Sequence, residues 1–211
     1  MSKQSHHAGI LWIISAPSGA GKTSLAKALV ETAVVPLRTS VSYTTRAPRP
    51  GEEDGVAYHF VSNEQFSQMV ERGEFLEHAL VHGNWYGTGE SWVKKQLVAG
   101  VDCLLEIDWQ GARLVRERLR EYVVSIFILP PSLTALAERL QGRGQDSAGV
   151  IEKRLAAARE ELLHYDEFDY LVVNENFQRA LEDLRCVLRA EHLRRSRQQF
   201  AEHDRLQLLL S

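Results

Sequence analysis

Ala16-Pro17-Ser18-Gly19-Ala20-Gly21-Lys22-Thr23 is the stretch that decides the fold. An apolar run, Ile10–Ser15, precedes it and reads as a buried strand; Ser24–Thr32 follows it and reads as a helix, with Leu25, Ala28 and Leu29 on one face. A Gly-rich turn between strand and helix aims several backbone N–H groups at one point, and the helix N-terminus adds its positive end, so the turn binds an anion. Helix starts favour acids; a lysine there is unfavourable unless something negative arrives. Lys22 supplies a mobile point charge, and the Thr23 hydroxyl is placed to reach a phosphate-bound Mg2+. Ala16 stands where the strict pattern has Gly, without the freedom of Gly at positive φ.

Working outward, strands and helices alternate. Val101–Ile107, Val123–Leu129 and Tyr170–Val173 read as further buried strands. Helical spacing recurs in Leu114/Val115/Leu119, in Leu133/Leu136/Ala137/Leu140, in Ile151/Leu155/Ala158/Leu162 and in Leu181/Leu184/Val187/Leu188. This alternation predicts an α/β fold with a central parallel sheet covered on both faces, and ligands bound beyond the carboxyl ends of its strands. The phosphate loop, the Asp108 turn and the Pro130 turn all follow strands and are expected to share that edge.

Two segments break the alternation. Residues 40–89 are rich in Thr, Tyr, Gly and Arg, with short β-like pieces at Val41–Tyr43, Tyr58–Val61, Phe75–Val81 and Trp85–Thr88 and one helix near Glu64–Arg72. They read as a small, mainly β insertion. Residues 132–154 carry the polar break Gly142-Arg143-Gly144-Gln145-Asp146-Ser147 between two helices, as a helical lid would. The expected organisation is one domain over 9–189, with core segments 9–39, 90–131 and 155–189, and a C-terminal helical extension over 190–211.

The chain has 211 residues, 44% hydrophobic and 25% charged, with a formal net charge of −3. Such a balance supplies no global field for nucleic acid, and any anion site must be built locally. No stretch approaches a membrane span, and Met1–Gly9 is polar, so the expected compartment is the cytoplasm. Cys103 and Cys186 have no metal-ligand spacing and are expected to be buried free thiols. His6 and His7 are expected to be solvated. The stretch Leu193–Ser211, basic at Arg194, Arg195 and Arg197, reads as a solvated helix face that packs on the core or on a second copy in a homo-oligomer.

A second run, Ser40 to Glu52, holds Arg46 and Arg49 around Pro48 among hydroxyl side chains. Two guanidinium forks held near one point match phosphate oxygens bidentately; the bland alternative is an exposed basic turn. The order of motifs goes further: the loop Ala16–Thr23, then Ser42-x-x-x-Arg46-x-Pro48-Arg49-x-Gly51-Glu52, Phe75-Leu76-Glu77, Gly83-Asn84-Trp85-Tyr86-Gly87-Thr88, Ile107-Asp108-Trp109-Gln110-Gly111, Ile128-Leu129-Pro130-Pro131-Ser132, Arg139-x-x-x-Arg143-Gly144 and Val173-Asn174. In this order they resemble the bacterial guanylate kinase family over about Gly9–Arg189.

The resemblance implies transfer of the γ-phosphoryl group of Mg·ATP to GMP, giving ADP and GDP. It implies that the loop Ala16–Thr23 holds ATP and that Thr23 meets the Mg2+. Arg46, Arg49, Tyr58 and Tyr86 fall where the family holds the GMP phosphate. Ser42, Glu77, Thr88 and Asp108 fall where it reads guanine, whose N1–H and N2–H₂ are neighbouring donors that one carboxylate accepts together. Lys22, Arg46 and the lid arginines Arg139, Arg143 and Arg154 fall where positive charge surrounds the migrating group. Asn174 falls near the ATP adenine. Asp108, just past a strand beside the phosphate loop, also suits an acid that organises Mg2+ through water, whereas Glu106 stands where many relatives have Asp. Two other readings stand beside this one: a non-catalytic guanylate-kinase-like domain that binds phosphopeptides in a scaffold, and a kinase of phosphorylated sugars.

Overall fold

A computed structural model describes residues 8–81, 83–142 and 148–211. Arg143, the rest of the polar lid break through Ser147, and His6 and His7 lie outside the described residues. The chain runs β1 (Leu11–Ser15), α1 (Lys22–Thr32), β2 (Leu37–Thr39), β3 (Tyr43–Thr44), β4 (His59–Phe60), α2 (Asn63–Glu71), β5 (Phe75–Val81), β6 (Asn84–Gly89) and α3 (Glu90–Val98). It continues through β7 (Asp102–Glu106), α4 (Trp109–Leu119), β8 (Val123–Leu129), α5 (Leu133–Gly142), α6 (Ala148–Leu162), β9 (Tyr170–Val173), α7 (Phe177–His192), α8 (Arg195–Ala201) and α9 (His203–Leu210).

Five strands form a parallel sheet in the order β2-β7-β1-β8-β9. Strand β1 is central and wholly buried, which is why its run is apolar without alternation. Trp12 and Ile14 point into a core with Leu25 and Leu29 of α1 and Leu181, Leu184 and Leu188 of α7. Leu11 and Ile13 point the other way, onto Val93 and Leu97 of α3 and Ala112 and Val115 of α4. Because β7, β1 and β8 are parallel neighbours, the Asp108 turn, the phosphate loop and the Pro130 turn lie side by side on one edge, as the alternation predicts.

The insertion forms its own four-stranded sheet, in the order β4-β3-β6-β5. Its helix α2 opens with a capping box, Ser62 accepting the Gln65 N–H and the Gln65 side chain accepting the Ser62 N–H. Phe66 of α2 stacks on Phe75 with ring centroids 4.5 Å apart, and Trp85 lies beside it, giving the insertion a small aromatic core. The piece expected at Val41–Tyr43 becomes the two-residue strand Tyr43–Thr44 at its C-terminal end, and that at Tyr58–Val61 shrinks to its middle two residues, since only two rungs of the β3–β4 ladder form.

Two further expectations change. Cys103 is buried and free, as predicted, but Cys186 is exposed: it sits on the solvent side of α7, whose core face is taken by Leu181, Leu184 and Leu188. The basic stretch after Glu191 is also not wholly solvated. Arg197 is half-buried and donates to the Ala8 carbonyl oxygen at 3.3 Å, tying α8 to the start of the described chain.

Candidate active site

The phosphate loop is held from behind. Gly19 and Gly21 take φ of 92° and 95°, the left-handed region that a side chain resists. Gly21 opens α1, whose first turn holds no acid and whose cap makes no side-chain hydrogen bond, so the first N–H groups of the helix are left for an anion. A Cβ on Gly21 would also meet the Asn174 amide nitrogen at 2.3 Å. That amide donates to the Ala20 carbonyl at 2.7 Å, and the Asn174 carbonyl accepts Arg139 Nη2 from α5 at 2.9 Å. Arg139, Asn174 and the loop therefore form one chain of hydrogen bonds. Thr23 is exposed at the start of α1, and Lys22 Nζ, donating to the Ile107 carbonyl at 3.5 Å, reaches across to the end of β7.

Glu77 lies on β5 opposite Thr88 of β6, at a bulge in that ladder. Both are buried, and the Thr88 hydroxyl donates to Glu77 Oε1 at 2.5 Å. The carboxylate sits over the start of α4, where a Cβ on Gly111 would come within 2.9 Å of Glu77 Oε2. Asp108 caps that helix by accepting the Gly111 N–H at 2.8 Å. Burial raises the Glu77 pKa to about 7; the Thr88 hydroxyl opposes the shift, nearby Asp108 adds to it, and Lys22 opposes it more weakly. Loop lysine, α4 acid and insertion acid thus share one electrostatic environment.

A second cluster lies farther along the insertion. Arg46 Nη2 donates to both oxygens of Glu52 at 2.9 and 2.8 Å, and Glu52 also accepts the Arg49 N–H at 2.8 Å. Tyr58 and Tyr86 pack edge to face at 5.9 Å, with Arg46 5.5 Å from the Tyr58 ring centroid. Burial, then the neighbouring Tyr86 and Glu106, raise the Tyr58 pKa, so its phenol stays a donor. The Arg49 side chain is exposed, and Ser42 contributes its carbonyl to the His59 N–H at 2.9 Å. Arg154 lies partly buried on α6.

Glu161 carries no sequence signal of its own, yet it lies partly buried near the end of α6, within electrostatic reach of Lys22 and Asp108. Its pKa is raised, first by burial and then by Asp108, while Lys22 and the Ser18 N–H pull it down. Only its spacing could have flagged it: Arg154, Ala158 and Glu161 fall at i, i+4 and i+7 on one face of α6. A surface cavity of about 580 Å³ lined by Arg113, Arg116 and Asp169 lies toward the opposite edge of the sheet, where Arg113 already pairs with Glu167.

A phosphate loop between β1 and α1 on a five-stranded parallel sheet, with a β insertion facing it and helices α5 and α6 alongside, defines a P-loop kinase of the nucleoside monophosphate type. The guanylate kinase family model matches residues 9–191. Guanylate kinase of Methylobacillus flagellatus is 55% identical over 202 residues, covering 96% of this chain and 99% of that protein. Guanylate kinase of Hahella chejuensis is 56% identical over 203 residues, covering 96% and 97%. The crystal structure of guanylate kinase from Anaplasma phagocytophilum superposes with a TM-score of 0.76 at 37% identity, covering 90% of each chain. The chain belongs to the guanylate kinase family.

Proposed function

We propose a division of labour for the guanylate kinase reaction in this chain, in which the loop Ala16–Thr23 holds the donor and the insertion holds the acceptor. The chain transfers the γ-phosphoryl group of ATP to GMP, yielding ADP and GDP. The observation that carries the division is Glu77: a buried carboxylate, with one oxygen held by Thr88 and the other over Gly111, within electrostatic reach of Lys22.

In this reading Glu77, with Ser42, Thr88 and Asp108 around it, accepts the guanine N1–H and N2–H₂. Adenine has neither donor and would leave the carboxylate desolvated and unpaired, a mismatch that sites of this kind reject by ~10⁴-fold. The Arg46 fork, now on Glu52, and Arg49 take the GMP phosphate, with the Tyr58 and Tyr86 phenols as further donors. Lys22 and the lid arginines Arg139, Arg143 and Arg154 neutralise charge on the migrating group, and the ionised acceptor phosphate needs no general base. Asn174 braces the loop from behind and lies near the donor base.

Among the described residues no group of three or more His, Cys, Asp or Glu side chains forms a metal cage. The Thr23 hydroxyl and the Asp108 carboxylate are hard oxygen donors that fit Mg2+, which keeps waters and substrate phosphates as its other ligands. Thr23 and, through water, Asp108 would hold it, and bound there it would neutralise phosphate charge.

No described helix is long and apolar enough to cross a membrane. The reading is of a cytoplasmic enzyme acting on free nucleotides, without nucleic acid. Exposed Leu208, Leu209 and Leu210 at the end of α9 support self-association through the C-terminal extension. The catalytic reading is tested by ADP release from Mg·ATP with GMP, AMP and a phosphorylated sugar as acceptors. GMP-dependent release is expected; a preference for the sugar, or none for any acceptor, would overturn it.

A further inference from the structure

Helix α4 meets the insertion at two points on one face, at positions i and i+7. At its start, Gly111 leaves room for Glu77 Oε2. Two turns on, about 10 Å along the helix axis, Arg118 Nη1 donates to the carbonyl oxygens of Phe75 and Leu76, at 2.7 and 3.0 Å. These are the two residues directly before Glu77.

Both carbonyls belong to a bulge. Strand β5 pairs Phe75 with Gly89 of β6 and Glu77 with Thr88, so Leu76 is an extra residue on β5. A bulge takes its extra residue out of the ladder and re-aims the side chains beside it. Here three consecutive buried side chains go to three places. Phe75 stacks on Phe66 inside the insertion, Leu76 joins the main core with Val93 and Val115, and Glu77 meets Thr88 beside the start of α4.

The helix behind the bulge is itself fixed. Ala112 and Val115 are buried in the core, Trp109 stacks on His164 just past α6 with ring centroids 3.5 Å apart, and Arg113 pairs with Glu167. Arg118 is oriented in turn: its Nη2 donates to Glu90 Oε2 at 3.1 Å, the other Glu90 oxygen pairs with Lys94, and the Glu90 N–H donates to the Glu74 carbonyl at 2.9 Å. One guanidinium thus ties α4 to the start of β5 and the start of α3.

We propose that Arg118 is a positioning residue for the acceptor base: its hydrogen bonds to the Phe75 and Leu76 carbonyls hold the β5 bulge against α4 and so set where the Glu77 carboxylate stands over Gly111. An arginine serving only an ion pair would be satisfied by Glu90. Donation to two consecutive carbonyls fixes the path of the strand as well, which the planar fork of arginine can do and a point charge cannot. A carboxylate that must meet two adjacent donors of guanine at once tolerates little displacement, and a shift of about 1 Å at the bulge costs affinity for GMP without touching the donor loop.

The proposal rests on the reading of Glu77 as the guanine acceptor. Turnover of GMP against AMP by the unmodified protein tests that reading by itself, and no preference for GMP would overturn both. Two variants are then compared with the unmodified protein. Arg118→Met keeps an unbranched stem without donors, and Glu90→Gln breaks the ion pair while keeping an oxygen for Arg118. The KM values for GMP and Mg·ATP are measured with the other nucleotide saturating, together with kcat/KM for IMP, which carries the N1–H but no 2-amino group. In Arg118→Met the KM for GMP rises about tenfold, the advantage of GMP over IMP falls about tenfold, and the KM for Mg·ATP stays within about twofold. Glu90→Gln leaves all three within about twofold. Were Arg118 a purely structural brace, Arg118→Met would lower the melting temperature and the active fraction with both KM values and the GMP-to-IMP ratio unmoved; that result overturns the proposal. So does an equal rise in both KM values, or a Glu90→Gln variant as impaired as Arg118→Met. If Arg118→Met does not fold, Arg118→Lys, which keeps the charge without the fork, decides: a raised KM for GMP with a reduced GMP-to-IMP ratio supports the proposal, and neither moving overturns it.

Discussion

Glu77 is the residue at which stability and function pull apart. Folded, its carboxyl titrates near pH 7; unfolded, near 4.5. Between those values the folded chain binds more protons than the unfolded chain, so this group makes stability fall as pH rises from about 4.5 to 7, and the loss is complete above 7. Glu77→Gln removes that penalty and is expected to stabilise the protein at pH 8 by up to ~3 kcal/mol in a denaturant titration. The same change lowers kcat/KM for GMP by ~10²-fold or more, because an amide offers only one acceptor oxygen to two donors. A carboxylate that must be ionised to read guanine also ties GMP affinity to pH. The KM for GMP should rise as pH falls below 7, and that inflection should vanish in Glu77→Gln. Lys22→Ala acts on the other nucleotide: kcat drops by ~10²-fold or more with the GMP requirement little changed, as expected for a charge used on the migrating phosphoryl group. The placement of these two side chains, Glu77 on an insertion strand and Lys22 at the start of α1, was legible in the sequence through their motifs. Asn174 was not legible in its loop-holding role, because its partner Ala20 lies 154 positions away and only the parallel packing of β1, β8 and β9 brings the two together.

At the scale of elements, the start of α4 would link the two proposed nucleotide sites. Asp108 caps it, Gly111 lets Glu77 approach it, and Trp109 carries the stack that pins the end of α6. Gly111→Ala would push a methyl group against Glu77 Oε2, where only 2.9 Å is available. The expected result is a rise in the KM for GMP with the KM for ATP near its original value, read from initial rates at fixed co-substrate. The long elements were legible: β8 and β9 have the bounds their apolar runs predict, and β1 and β7 lose only terminal residues. Strand β2 escaped because it is three residues long with only Leu37 buried, too short for any period to show. Helix α3 escaped for a related reason: with only Val93 and Leu97 buried, its face is one residue wide. Strand β3 shifted because hydrogen bonding to its neighbours, not its own composition, sets where a two-residue strand begins.

Across the whole molecule, one sheet edge carries the phosphate loop, the Pro130 turn and the start of α4, while a separate small sheet brings Glu77, Arg46 and the tyrosines together. In the proposed division of labour the insertion holds GMP, base and phosphate together, and the sheet edge with α5 and α6 handles the ATP phosphates. That separation predicts that a change at Glu77 erodes the preference for GMP without giving the chain a new nucleotide. The most direct measurement is the ratio of kcat/KM for GMP to that for AMP, with Mg·ATP as donor, in the unmodified protein and in Glu77→Gln side by side. The expected ratio is ~10³ or higher in the unmodified protein, collapsing to within about tenfold in Glu77→Gln through loss of GMP turnover, with AMP turnover little improved. An unmodified protein that uses AMP as well as GMP, or a Glu77→Gln variant that keeps its full preference, would contradict a guanine site built on Glu77.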